Sequence, residues 1–330
     1  MTYTANTNRY TNMNYRRCGS SGLKLPVMAL GFWHSFGNDS NYENTKEIVL
    51  GSFDLGITHF DLANNYGPPP GSAEEMFGRI LKRDLQVYRD ELIISTKAGY
   101  GMWPGPYGDG GSKKYLVSSL DQSLKRMGLD YVDIFYHHRP DSETPLEETM
   151  EALVSIVKQG KALYIGLSNY KADQLKKASA ILKDMGIPCL IHQHKYSMLD
   201  RENESLKDVI DEEGMGAIAY SSLAQGLLTR KYIHGIPKDS RAAGKSEFLK
   251  KETITDDLIN KVKSLNDIAS FRGQSLAQMA IVWALQMGNL TSVVLGASKL
   301  EQMEDNIKSI ENMVITEEEL EKIDSILSRK

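Results

Sequence analysis

Cysteine is scarce in this chain. Only Cys18 and Cys189 occur among its 330 residues, far apart and in no C-x-x-C or Cys/His cluster, which excludes a disulfide framework and a zinc site built on thiolates. No apolar run reaches the roughly 20 residues needed to cross a bilayer. Residues 1–17 (MTYTANTNRYTNMNYRR) are polar, without the apolar stretch of a secretory signal, so the cytosol is the expected compartment. An excess of positive charge is missing too: 39 basic and 43 acidic residues give a formal net charge of -4. Nothing here neutralises a phosphate backbone, and nucleic acid is excluded as a partner. No G-x-G-x-x-G follows the first apolar run, where Gly31, Phe32, Trp33 and His34 stand instead, and no G-x-x-x-x-G-K occurs. Those absences argue against an open doubly wound sheet with a glycine-rich phosphate loop.

What is present is a regular alternation. Short apolar runs are each followed by a segment with helical periodicity, in a chain that is 41% hydrophobic. The runs are residues 27–33, 58–63, 91–97, 131–138, 162–169, 189–194, 216–222 and 291–298. Helices are expected between them, among others over 72–83, 115–127, 146–158 and 171–185. Gly128, Gly160 and Gly186 stand where left-handed glycines end helices. Eight strand–helix units with right-handed crossovers close into a sheet without edges, so the expected fold is a (β/α)8 TIM barrel. Residues 1–22 read as a polar arm, with a turn at Gly19 to Gly22, and residues 23–330 as one barrel domain. Two segments, 99–114 and 224–257, exceed ordinary connections and read as functional loops after the third and seventh strands. Thr316-Glu-Glu-Glu opens an extra C-terminal helix on the outside of the barrel. The apolar helix 275–287 is too short to span a membrane and reads as buried.

In a parallel barrel, chemistry collects at the carboxyl ends of the strands. There the sequence puts Asp61 and Tyr66, Lys97, His137 and His138, Ser168 and Asn169, Gln193, Tyr220 and Ser221, and Ser298 and Lys299. Asp61, Tyr66, Lys97 and His138 make one chemical unit. Reducing a carbonyl by hydride leaves negative charge on oxygen, which needs a positioned proton donor. A phenol serves near neutrality if a cation such as Lys97 lowers its pKa, while Asp61 holds the ammonium and His138 bonds the same oxygen. His192 and His194 share one strand face, but no Cys or carboxylate completes a metal site; they read as barrel packing plus a pocket-facing side chain.

From about Leu23 to Lys330 the sequence resembles an aldo-keto reductase. The family's opening signature is similar to GITHFDLANNYG (Gly56 to Gly67), its Lys motif to IISTK (Ile93 to Lys97) and its His motif to YVDIFYHHRPD (Tyr131 to Asp141). PPPGSAEE (Pro68 to Glu75), AGYGMWPGPYG (Ala98 to Gly108) and LAQGLLTRKY (Leu223 to Tyr232) resemble the bacterial subgroup that reduces L-glyceraldehyde 3-phosphate, itself related to β subunits of voltage-gated potassium channels.

The resemblance implies a catalytic tetrad of Asp61, Tyr66, Lys97 and His138, and NADP(H) bound without a Rossmann motif. By the same resemblance Trp33 and Asp61 border the cofactor, Ser168, Asn169 and Gln193 hold its carboxamide, and Tyr220 stacks on its ring. Ser221, Leu223, Gln225, Gly226, Leu227, Lys231 and Arg241 would wrap the pyrophosphate. Gly296, Ser298, Lys299 and Gln302 would meet the 2′-phosphate, and Asn306 the adenine. The substrate pocket would be lined by Trp33, His34, Tyr66, Trp103, Tyr107, His138, Arg139 and Lys195, for a small aldehyde such as L-glyceraldehyde 3-phosphate or methylglyoxal. The resemblance further implies a homo-oligomer, tetramer or octamer. This chain has Lys299 where relatives often have Arg, His194-Lys195 for the commoner Pro-Ser, and Arg230 for a Gly. The alternative function is a cofactor-bearing regulatory subunit like the channel-associated relatives; His138, where those commonly have Asn, favours an enzyme.

Overall fold

A computed structural model describes residues 3–34, 36–237, 241–244 and 249–328. Its strands are β1 (Tyr15–Arg17), β2 (Lys24–Pro26), β3 (Met28–Gly31), β4 (His59–Asp61), β5 (Ile93–Ala98), β6 (Val132–His137), β7 (Ala162–Ser168), β8 (Cys189–Lys195), β9 (Gly216–Tyr220) and β10 (Ser292–Leu295). Strands β3 to β10 pair in parallel and in chain order, and β10 closes onto β3 through Val293 opposite Met28 and Leu295 opposite Leu30. This is the expected barrel. Closure leaves these strands no unpaired edge, and the helix layer covers their outer face.

Ten α-helices surround the sheet: α1 (Tyr42–Asp54), α2 (Ser72–Ile80), α3 (Lys113–Met127), α4 (Leu146–Lys158), α5 (Ala172–Asp184), α6 (Leu206–Glu213), α7 (Asp256–Phe271), α8 (Leu276–Met287), α9 (Leu300–Ile307) and α10 (Glu317–Leu327) among the described residues. Gly128, Gly160 and Gly186 follow α3, α4 and α5 with φ of 68°, 71° and 80°, the left-handed geometry that only glycine adopts without a Cβ penalty. Ser275 and Thr316 cap α8 and α10 by reciprocal bonds with Gln278 and Glu319. Helix α8 is buried nearly all round, with Trp283 fully enclosed. Helix α2 stops at Ile80, short of the expected 83, and the chain continues through a wider turn over 81–85.

The amino-terminal segment does more than the polar reading suggests. Tyr15–Arg17 pairs antiparallel with Lys24–Pro26, turning at Gly19, and Cys18 at 0% exposure packs with Leu25, Ala29, Ile134, Tyr136, Leu190 and Ile191. This hairpin floors the barrel at the ends of the strands opposite the site. Strands of three residues are too short to show alternation, which is why the sequence conceals them.

Both long loops exist. Residues 99–112 precede α3, and the segment before α7 forms short 3-10 turns around Tyr232, Ala242 and Leu249.

Candidate active site

Strand alternation decides which side chains enter the barrel. On β4, His59 and Asp61 point inward while Phe60 packs against the rings of Phe32 and Phe77. On β5, Ser95 and Lys97 point inward while Thr96 donates to Glu74 of α2. These inward positions meet. Lys97 Nζ lies 2.6 Å from Asp61 Oδ2 and 2.7 Å from the Leu62 carbonyl oxygen, with Lys97 at 0% and Asp61 at 2% exposure. Ser95 donates to Asp61 Oδ1 at 2.8 Å, and Gln193 Nε2 from β8 donates to the same oxygen at 3.2 Å. His59 Nε2 stands 3.0 Å from Ser95 Oγ. A desolvated ion pair is tolerable only when its remaining lone pairs are also bonded, and here they are.

Above this buried pair sits Tyr66, whose ring centroid is 5.0 Å from Lys97 Nζ and 5.7 Å from the His138 ring. The fold thus brings the four expected side chains to one end of the barrel. The net shift on the phenol is upward, opposite to the direction expected from a neighbouring Lys97. Burial, then Asp61, Tyr220 and Tyr100, push Tyr66 well above its usual value. The ammonium spends two of its three donors on Asp61 and Leu62. It carries its own burial penalty, which holds Lys97 below the ordinary lysine value against the opposing pull of Asp61. Burial, reinforced by Lys97, His137 and Arg139, likewise keeps His138 neutral. The phenol is therefore protonated and the imidazole uncharged at neutral pH.

Around the tetrad, Asn169 donates to the His138 carbonyl at 2.9 Å and accepts from Tyr220 OH at 2.9 Å, so half of its amide is already committed. The Ser168 hydroxyl is buried and has no hydrogen-bond partner. Such an orphaned donor beside a strand end fits a polar group arriving from outside. His34, Asn169, Ser221, Ala224 and Gln225, all in loops at strand carboxyl ends, hold left-handed φ between 46° and 65°. Backbone strain of about 1–3 kcal/mol each concentrates at this face. Leu223, Gln225, Gly226 and Leu227 surround the turn after β9, and Lys231 is exposed in the next. The Arg241 side chain lies outside the described residues. Gly296, Ser298, Lys299 and Gln302 are exposed at the start of α9, and Asn306 is buried at 5%. Gln302 Oε1 accepts from the Ser298 and Lys299 backbone amides at 2.7 and 3.3 Å, and, separately, the Lys299 ammonium makes no ion pair among the described residues.

The substrate-side residues divide. Trp33 and His34 lie together, ring centroids 3.8 Å apart, and the Tyr100 ring stands edge-on to His138 at 4.8 Å. Trp103 packs on Tyr115 at 5.2 Å, and Tyr107 is 60% exposed. Both expected phosphate-binding cations already have partners. Arg139 binds both oxygens of Asp109 at 2.9 and 3.0 Å and donates to the Gly99 carbonyl; Lys195 Nζ lies 2.5 Å from Asp200. His137 points outward to Tyr170, and the expectation of a pocket-facing member in the His192–His194 pair is corrected. Because Gln193 faces inward, both histidines face the helices, stacked at 5.3 Å. No metal-holding group of three His, Cys, Asp or Glu occurs among the described residues. Sequence reasoning missed Ser95 and His59; their signal was available, two residues before Lys97 and Asp61 on the same strand faces. Tyr100 and Asp109 had none.

The sequence model of the Aldo/keto reductase family matches residues 27–328. The chain is 54% identical over 329 residues to L-glyceraldehyde 3-phosphate reductase of Escherichia coli (strain K12), covering 98% of this chain and 95% of that protein. It is also 37% identical over 325 residues to a probable voltage-gated potassium channel subunit beta of Oryza sativa subsp. japonica, covering 96% of this chain and 98% of that protein.

Proposed function

The chain belongs to the aldo/keto reductase family and is an oxidoreductase, and from that premise we propose that it reduces small aldehydes to alcohols with NADPH, Tyr66 giving the proton. The observation that carries this reading is the buried Asp61–Lys97 pair beneath a protonated Tyr66. NADPH, when bound, supplies the hydride. Tyr66 donates its proton to the carbonyl oxygen as charge develops there. Lys97, anchored through two donors, keeps a third N–H for the phenolate left behind. Neutral His138 adds one hydrogen bond to the substrate oxygen. Ser168, with the free half of the Asn169 amide, suits the cofactor carboxamide, and Lys299 suits its 2′-phosphate.

The substrate proposed first is L-glyceraldehyde 3-phosphate, supported by the relative that bears its name, with methylglyoxal as the smaller alternative. Arg139 and Lys195 are already paired with Asp109 and Asp200, so a substrate phosphate shares these cations with carboxylates or competes with them. The proposal extends to a homo-oligomer, tetramer or octamer, working in the cytosol. Among the described residues no helix is long and apolar enough to cross a membrane.

The test follows NADPH oxidation with both aldehydes and with unphosphorylated L-glyceraldehyde. Tyr66→Phe should lose about 10²–10⁴ in kcat while still binding NADPH. Near-normal turnover by this variant refutes the proton-donor role, and equal KM values for the phosphorylated and unphosphorylated sugars refute a phosphate-selective pocket.

A further inference from the structure

We propose that Ser95, with its hydrogen bond partner His59, is a positioning residue that holds the Asp61 carboxylate in place for Lys97. The inference rests on the tetrad reading above and concerns two residues outside it.

Both groups are fully buried inside the barrel, where polar side chains are retained only at a cost. Their bonds form a directed chain. His59 Nδ1 is buried without a partner, while Nε2 lies 3.0 Å from Ser95 Oγ. Burial, outweighing the attraction of Asp61, pushes His59 down to about 4, so the ring is neutral and carries one N–H. With that proton on Nδ1, a buried donor would be stranded; with it on Nε2, only a bare lone pair is left. The second arrangement is cheaper. Once Nε2–H donates to Ser95 Oγ, the serine proton has one well-placed acceptor, Asp61 Oδ1 at 2.8 Å, the Phe60 carbonyl being distant at 3.4 Å. The barrel register makes this possible, since Asp61 stands opposite Ser95 in the β4–β5 ladder.

The consequence is mechanical. Oδ1 is pinned by Ser95 and Gln193, so Oδ2 faces Lys97, and the carboxylate cannot rotate to share itself differently. Without Ser95, Oδ1 keeps only the longer Gln193 bond, and the carboxylate can turn away from the ammonium it holds.

The experiment compares Ser95→Thr with Ser95→Val, near-isosteric side chains that differ by a hydroxyl, together with Ser95→Ala and Tyr66→Phe. Each is assayed as the full chain for NADPH affinity, kcat and KM. Valine and alanine should lower kcat about tenfold or more, the scale of one lost bond to a charged group, with KM and NADPH affinity little changed. Threonine should restore most of the lost kcat. If valine and threonine behave alike, or the loss falls on KM or NADPH affinity and leaves kcat unchanged, the inference is overturned. If Tyr66→Phe also keeps full turnover, the tetrad reading fails; if Tyr66→Phe is inactive and the serine variants are normal, only the role of Ser95 fails.

Discussion

Asp61→Asn is the substitution whose cost can be argued most directly from geometry. The carboxylate accepts on both oxygens: Lys97 on one, Ser95 and Gln193 on the other. An amide keeps only one accepting oxygen. Turned toward Lys97, it points its NH2 at the donors of Ser95 and Gln193; turned the other way, it points its NH2 at the ammonium. Either choice leaves buried donors facing one another, and Lys97 at 0% exposure loses its counter-charge. Removing one member of a buried ion pair costs about 3–5 kcal/mol, a large part of the ~5–15 kcal/mol that stabilises a typical domain. The loss must also depend on pH. Burial already holds Lys97 below its usual 10.5, and without Asp61 the folded-state value falls further. Between that value and 10.5 the unfolded chain binds the extra proton, so stability of the variant rises as pH rises. Lys97→Met should cost less, because Asp61 retains two donors, although it too should abolish turnover. The assay is urea denaturation followed by tryptophan fluorescence at pH 7 and 9.5. A loss below about 1 kcal/mol at pH 7, or a penalty that grows toward pH 9.5, would falsify the account of this pair.

Two further outcomes follow from charge. Lys299→Ala should weaken NADPH by on the order of 1–3 kcal/mol and NADH hardly at all, measured by fluorescence titration of both; equal weakening removes the 2′-phosphate role. His59, His137 and His194 are each pushed down by burial from 6.5 to about 4, so they contribute stability that is complete above pH 6.5 and is lost as pH falls toward 4. Each full shift corresponds to ~3 kcal/mol, and histidine NMR signals from these rings that titrate near 6.5 would contradict their neutral burial.

Much of this protein is legible in its sequence alone. Eight apolar runs alternating with amphipathic segments, and glycines at 128, 160 and 186, determined a parallel barrel, because strand and helix periods and left-handed caps are local properties of the chain. Barrel geometry then named one face, and Asp61, Tyr66, Lys97 and His138 follow from residue type at strand ends. Tertiary structure decided the rest. The hairpin of β1 and β2 depends on a pairing partner rather than on pattern. The state of Tyr66 depends on its burial and on Asp61, Tyr220 and Tyr100 around it, and the Lys97 donors are taken up by Asp61 and by a Leu62 carbonyl that no motif marks. Arg139 and Lys195 were visible as cations, but their partners Asp109 and Asp200 come from loop paths. His192 and His194 look outward because Gln193 looks in, a choice made by strand register. Residue chemistry and local period are written along the chain, whereas pairing, burial and the direction of each hydrogen bond exist only once distant segments meet.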